Sequence, residues 1–206
     1  MTPSKQRALI FAAAGVSALA AIAFGAFMVV RTIRSVTHPS TASGEERRLL
    51  VTTAQLERFG VKNTQGRAEN VVSTSQFDGS RDIQYVYSSK NNPEAPETLY
   101  VLSKVQVLPQ SLSAMQVFKM EQLAIRAGVG LQEQAKLVPH PELVTLGDQR
   151  YAAIIERDEK PAGNLFIIRQ GRVVHMLTIG GFYFNSAESV EKLFKPILEE
   201  TKRQFP

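Results

Sequence analysis

The stretch DQRYAAIIERDEKPAGNLFIIRQGRVVHMLTIGG, Asp148 to Gly181, decides the fold. Three runs rich in β-branched and apolar residues are separated by turn-forming residues, the spacing of an antiparallel meander. The first strand is expected from Arg150 to Arg157, EKPAGN reads as the turn after it, and LFIIRQ, Leu165–Gln170, is the second strand. Gln170-Gly171 is a tight hairpin signal, and RVVHMLTIGG, Arg172–Gly181, is the third strand. Within it Val173, His175, Leu177 and Ile179 share one face, and Val174, Met176 and Thr178 the other. His175 therefore sits among apolar neighbours. That placement suits a core histidine with a satisfied hydrogen bond better than a ligand, because acid–base or metal chemistry needs a second polar group.

Two glycines and three aromatics follow, Gly180 to Phe184. They read as a flexible elbow with an apolar tip, so Phe182, Tyr183 and Phe184, with His175 behind them, are the candidate ligand or partner contacts. Core packing of at least two of the rings is the default. The closing helix starts near Asn185 or Ser186, and Val190, Leu193, Phe194, Ile197 and Leu198 form one stripe at helical spacing. Pro196 lies inside this helix and is expected to kink it, because it removes a donor and crowds the carbonyl of Lys192.

Upstream, Thr52 and Gln55 have capping-box spacing before a short helix over 53–59 that Gly60 ends. A strand is expected over 68–77, an Asp78-Gly79 turn next, and then RDIQYVYSS, in which Ile83, Tyr85 and Tyr87 alternate with Asp82, Gln84 and Val86. A loop over 89–97 leads to a third strand, Leu99–Leu108, and a helix over 113–127 bounded by Ser113 and Gly128. The apolar face of this helix is broad, with Met115, Val117, Phe118, Met120, Leu123 and Ile125. Residues 128–147 hold a short strand at most, before His140 between two prolines. Gly128 and Gly130 lack the third glycine, and the preceding strand, of a dinucleotide fingerprint. The expected domain is α+β: a mostly antiparallel sheet with two packed helices, in the order βββα-βββα.

Before the domain lies ALIFAAAGVSALAAIAFGAFMVV, Ala8–Val30, with no charge and no proline. At about 1.5 Å per residue it reaches roughly 34 Å as a helix, enough to cross a bilayer. It also exceeds the apolar core of roughly 7–15 residues usual for a cleaved signal. The expected organisation is a tail over 1–7, a transmembrane helix over 8–30 acting as an uncleaved signal anchor, a juxtamembrane linker over 31–48 and the domain over 49–206. Lys5 and Arg7 oppose Arg31 and Arg34 across the run. The charge rule thus favours only modestly an extracytoplasmic domain tethered to the lipid bilayer by a single pass.

Charge placement excludes a class of partner. The chain carries +5 net, yet four of its 24 Lys and Arg and none of its 19 Asp and Glu fall in residues 1–44. The remainder is nearly neutral, and a nucleic-acid groove needs a basic stripe. With no cysteine there is no disulfide, thiolate nucleophile or Cys-based metal site. The domain has no GxSxG, no HExxH and no Walker lysine. Neither catalytic residues nor a cofactor nor a metal site is assigned.

The element order, together with LGDQRYAAI and GNLFIIRQGRVVHMLTI, resembles the PsbP-like fold of small anchored bacterial envelope proteins, the LpqN-like group included. The resemblance covers about residues 65–204 and implies binding or accessory work without catalysis; the aromatic elbow adds the expectation of a protein partner or a small apolar ligand. The alternatives are a structural subunit assembling through its membrane helix, and a membrane-bound hydrolase using Asp148 or Glu156 near His140 or His175.

Overall fold

The computed structural model describes residues 39–62, 70–89, 98–129 and 135–206. The expected transmembrane stretch, 8–30, lies outside them, and among the described residues no helix is long and apolar enough to cross a membrane. A membrane-spanning helix is accordingly no element of the described fold.

That fold is built on one eight-stranded sheet, antiparallel throughout, rather than on two three-strand units. Its strands are β1 Pro39–Thr41, β2 Asn70–Ser75, β3 Arg81–Ser88, β4 Tyr100–Val107, β5 Ala135–Pro139, β6 Gln149–Arg157, β7 Lys160–Gln170 and β8 Val173–Gly180. The order across the sheet is β1-β2-β3-β4-β8-β7-β6-β5. Two meanders thus meet along a single ladder, β4 against β8, with Val105 opposite His175 and Val101 opposite Ile179. The expected βββα-βββα order misses both edge strands. β1 is too short for any period to show, and it draws Pro39–Thr41 out of the presumed linker into the domain. β5 ends in a proline at the far edge, a place where a missing N–H costs no ladder bond.

The β6–β7 turn is also tighter than its composition suggests. EKPAGN is not a loop, because Lys160 already pairs with Arg157. Asp158 and Glu159 alone make the turn, both left-handed at φ 51° and 61°. Two successive left-handed residues match the twist of a hairpin, but side chains make them costly. Replacing Asp158-Glu159 by Asn-Gly is expected to raise stability by about 1 kcal/mol, read as a higher urea midpoint. An unchanged or lower midpoint would contradict the turn geometry.

Among the described residues four α-helices accompany the sheet: α1 Gly44–Arg47, α2 Thr53–Leu56, α3 Ser111–Val129 and α4 Ala187–Gln204. The capping box of α2 forms as expected, the Gln55 side chain accepting from the Thr52 N–H at 2.8 Å. α3 starts two residues before the expected Ser113, with Ala114 N–H donating to the Gln110 carbonyl. α4 runs unbroken through Pro196, and its stripe of Val190, Leu193, Phe194, Ile197 and Leu198 is buried as its spacing requires.

The two sheet faces are covered unequally. One face is packed along its length. Segment 42–61 lies over β3 and β4, where Ser103 Oγ accepts from Val51 N–H and Tyr85 Oη from Thr53 N–H. α4 lies over β7 on the same side. Ile83, Tyr85, Val101, Val105, Leu177, Phe166, Leu49, Leu56 and Phe194 make this core. Among the described residues the other face carries α3 alone, and α3 lies over β5–β8. Ala114 and Phe118 pack there on Tyr151, Ala153, Leu165, Ile167 and Val174. On the β2–β4 half of that face, Val72, Val86, Tyr100 and Leu102 are half-buried.

Candidate functional site

The sequence places its site at the elbow after β8, and there the structure shows a fastening. Asn164, fully buried on β7, receives the Phe184 N–H on its side-chain oxygen and donates its side-chain N–H to the Phe184 carbonyl at 3.1 Å. One amide side chain thereby stands in for a strand partner. Phe184 is buried and meets Phe59, Phe166 and Phe182 edge-on, with centroids 5.3, 6.4 and 5.0 Å away. Phe182 packs against the same core, and Tyr183 alone of the three is exposed. The elbow is clamped rather than flexible, because two backbone groups beside a core must find partners.

Replacing Asn164 by Leu leaves both groups of Phe184 unsatisfied. A loss of about 2–4 kcal/mol is expected, measured by urea unfolding. A variant as stable as the parent would dismiss the clamp.

His175 lies sealed in the core, with Nε2 2.9 Å from Thr201 Oγ1 and a further hydrogen bond to the Leu49 backbone. It joins β8 to α4 and to the chain before α2, and its side chain is covered on every side. His140 is in a different environment, on the surface with Nδ1 2.7 Å from Glu142. His38 lies outside the described residues. The structure thus does not bring His175 together with Asp148 or Glu156. Asp148 instead accepts from Gly171 N–H at 2.7 Å and braces the β7–β8 turn.

A cleft the sequence did not signal as a site opens between α1, the start of β3 and the end of α4. Its volume is about 340 Å³, and Glu45, Glu46, Arg81, Ile83, Arg203 and Phe205 are among its walls. Local chemistry builds each wall. Ser43 caps α1, its hydroxyl accepting from Glu46 N–H while the Glu46 carboxylate accepts from Ser43 N–H at 2.8 Å. The same carboxylate accepts from Ser73 Oγ and Arg81 Nη1, each at 2.9 Å. Burial pushes this carboxyl's pKa up, but the Ser43 N–H, the Ser73 hydroxyl and the Arg81 charge together hold it below its usual value.

On the opposite wall Arg203 forks onto Glu200, whose carboxyl is lowered to about 2 by that contact and by Gln204. Gln204 also donates to the Glu45 carbonyl at 3.1 Å, joining the end of α4 to α1. Phe205 closes one end, with the Arg172 guanidinium 5.4 Å above its ring.

The cleft offers both signs of charge over an apolar floor of Ile83 and Phe205. Such a site can orient a small group that carries opposite charges; neither His140 nor His175 is among its walls. Among the described residues no group of three or more His, Asp or Glu could hold a metal ion. A legible signal did exist. Ser43-Gly44-Glu45-Glu46 has capping-box spacing, but it falls in the segment given to the linker.

No family model, no curated protein and no solved structure matches the chain.

Proposed function

We propose that this chain is a non-catalytic binding or accessory domain, and that its cleft takes a charged terminus or side chain of a protein partner. One observation carries the reading: Arg81, Arg203, Glu45 and Glu46 ring an apolar floor in a cleft of about 340 Å³. Ligand sites of this kind span roughly 300–1,000 Å³ and fix orientation with few polar groups. The chemistry favours a polar or zwitterionic group over the small apolar ligand expected from the aromatic elbow. The likeness to PsbP-like domains belongs to the same proposal, and it points to the same kind of work.

The test is a thermal-shift titration of the full chain with glycylglycine and with short peptides whose termini are free or blocked. A saturable rise in Tm with free termini, lost in Arg203→Ala, is expected. No saturable response, a response unchanged in Arg203→Ala, or a preference for blocked apolar peptides overturns the reading.

A further inference from the structure

We propose that the half-covered sheet face is a homodimer interface, in which the outer stripe of α3 in each copy lies on the bare β2–β4 half of the other copy's sheet. This goes beyond the cleft, which lies on the opposite side of the sheet.

The first observation is an excess of apolar surface on α3. Phe118 and Ala114 pack inward, yet Leu112, Met120 and Leu123 on the outer side are 58%, 45% and 60% exposed. A helix apolar on more than one side is a helix buried on more than one side. The second observation is the bare half of the same face. A sheet of eight strands is about 38 Å wide, and one helix is about 10–12 Å across, so α3 cannot cover it. The part that no described element covers carries Val72, Val86, Tyr100 and Leu102, with Val86 directly opposite Leu102 and Leu102 opposite Thr178.

These surfaces lie side by side, one convex and one flat. A partner must offer both in the same arrangement, and a second copy does so by construction, each helix meeting the other sheet across a twofold axis. The size is adequate. Strands of 6, 8 and 8 residues and a helix of 19 present about 650 Å² in plan, before side-chain relief, against about 800 Å² per partner in a standard interface. Charge agrees as well. Lys119 is exposed on the outer side of α3, while Asp82 lies on the bare half. Lys104 and Glu121 pair within one copy at 2.9 Å and need no partner.

The full chain, purified in one buffer, is examined by sedimentation velocity over a range of concentrations. A monomer–dimer equilibrium is expected, and Met120→Glu with Leu123→Glu is expected to weaken it at least a hundredfold. Both positions face solvent in the single copy, so circular dichroism should match the parent, and Tm should match it at concentrations where the parent is monomeric. Since the chain has no cysteine, Met120→Cys and Val86→Cys chains can be mixed and treated with a short bis-maleimide. The cross-linked product should form in the mixture more than in either chain alone. A parent that stays monomeric, association undiminished in the double variant, or no cross-link specific to the mixture overturns the proposal. Association that survives the α3 change would place self-assembly elsewhere in the chain.

Discussion

Adding one methyl group at Gly163 is expected to cost at least about 3 kcal/mol, or to prevent folding. A Cβ built there would stand 2.0 Å from the Ile179 carbonyl oxygen and 3.2 Å from Gly180 Cα. Both obstacles are backbone, and both belong to β8, the strand that joins the two halves of the sheet. Relief would need β7 to move away from β8 beside Asn164, which fastens the elbow. Gly171 supplies the contrast. It has φ 58° and open space where a Cβ would go, so Gly171→Ala meets only the left-handed penalty, about 1 kcal/mol. For a chain of this length, about 3 kcal/mol lowers Tm by roughly 6–12 °C. If the two variants melt together, the close approach at Gly163 is not a feature of the protein.

Acid is expected to act through His175. In the unfolded chain its ring takes up a proton near 6.5, whereas burial pushes the folded value down to about 4, against a smaller upward pull from the Leu49 backbone. Between those values the unfolded state binds the extra proton. The stabilisation is complete above about 6.5 and is lost as the pH falls toward 4. By pH 4 the loss from this one group is roughly 3 kcal/mol.

The hydrogen bonds favour the charged ring, and burial is what keeps it neutral. Thr201 Oγ1 donates to the Ile197 carbonyl at 2.8 Å and lies 2.9 Å from Nε2. A neutral ring has one N–H, so it can donate to Thr201 or to the Leu49 backbone but not to both. An imidazolium would donate to both, and burial still outweighs that gain. Urea midpoints between pH 7 and 4 should therefore fall more steeply for the parent than for His175→Gln. Parallel slopes would remove His175 as the cause. So would a His175 ring that titrates near 6.5 in the folded protein by NMR.

What could be read from the sequence follows from how many residues carry each signal. The α4 stripe repeats over more than two turns, and the alternation of Ile83, Tyr85 and Tyr87 repeats across a whole strand, so both are found where expected. The burial of His175 was legible from its same-face neighbours. β1 has three residues, too few for a period, and the β6–β7 turn uses Asp158 and Glu159 in conformations that their side chains do not advertise. Core packing of two of the elbow's rings, Phe182 and Phe184, was legible, but its fastening was not, because the restraint comes from Asn164, twenty residues upstream on another strand. The cleft was illegible for a related reason. Glu46, Arg81 and Arg203 are scattered along the chain, and only the antiparallel register and the length of α4 bring them together.

The single seam between β4 and β8 bears on synthesis. Strands β1 to β4 emerge from the ribosome as a complete meander, but the partner that closes the β4 edge arrives only after α3 and three more strands. Until then Val101, Val105 and Val107 lie on an open, unpaired rim of the kind that recruits stray chains. A nascent chain halted before Val173 is expected to aggregate or to be held by a chaperone, whereas one released after Gly180 can zip shut. Ribosome-stalled lengths compared by solubility would show the change as β8 appears, and equal solubility on both sides of that point would deny the seam its role.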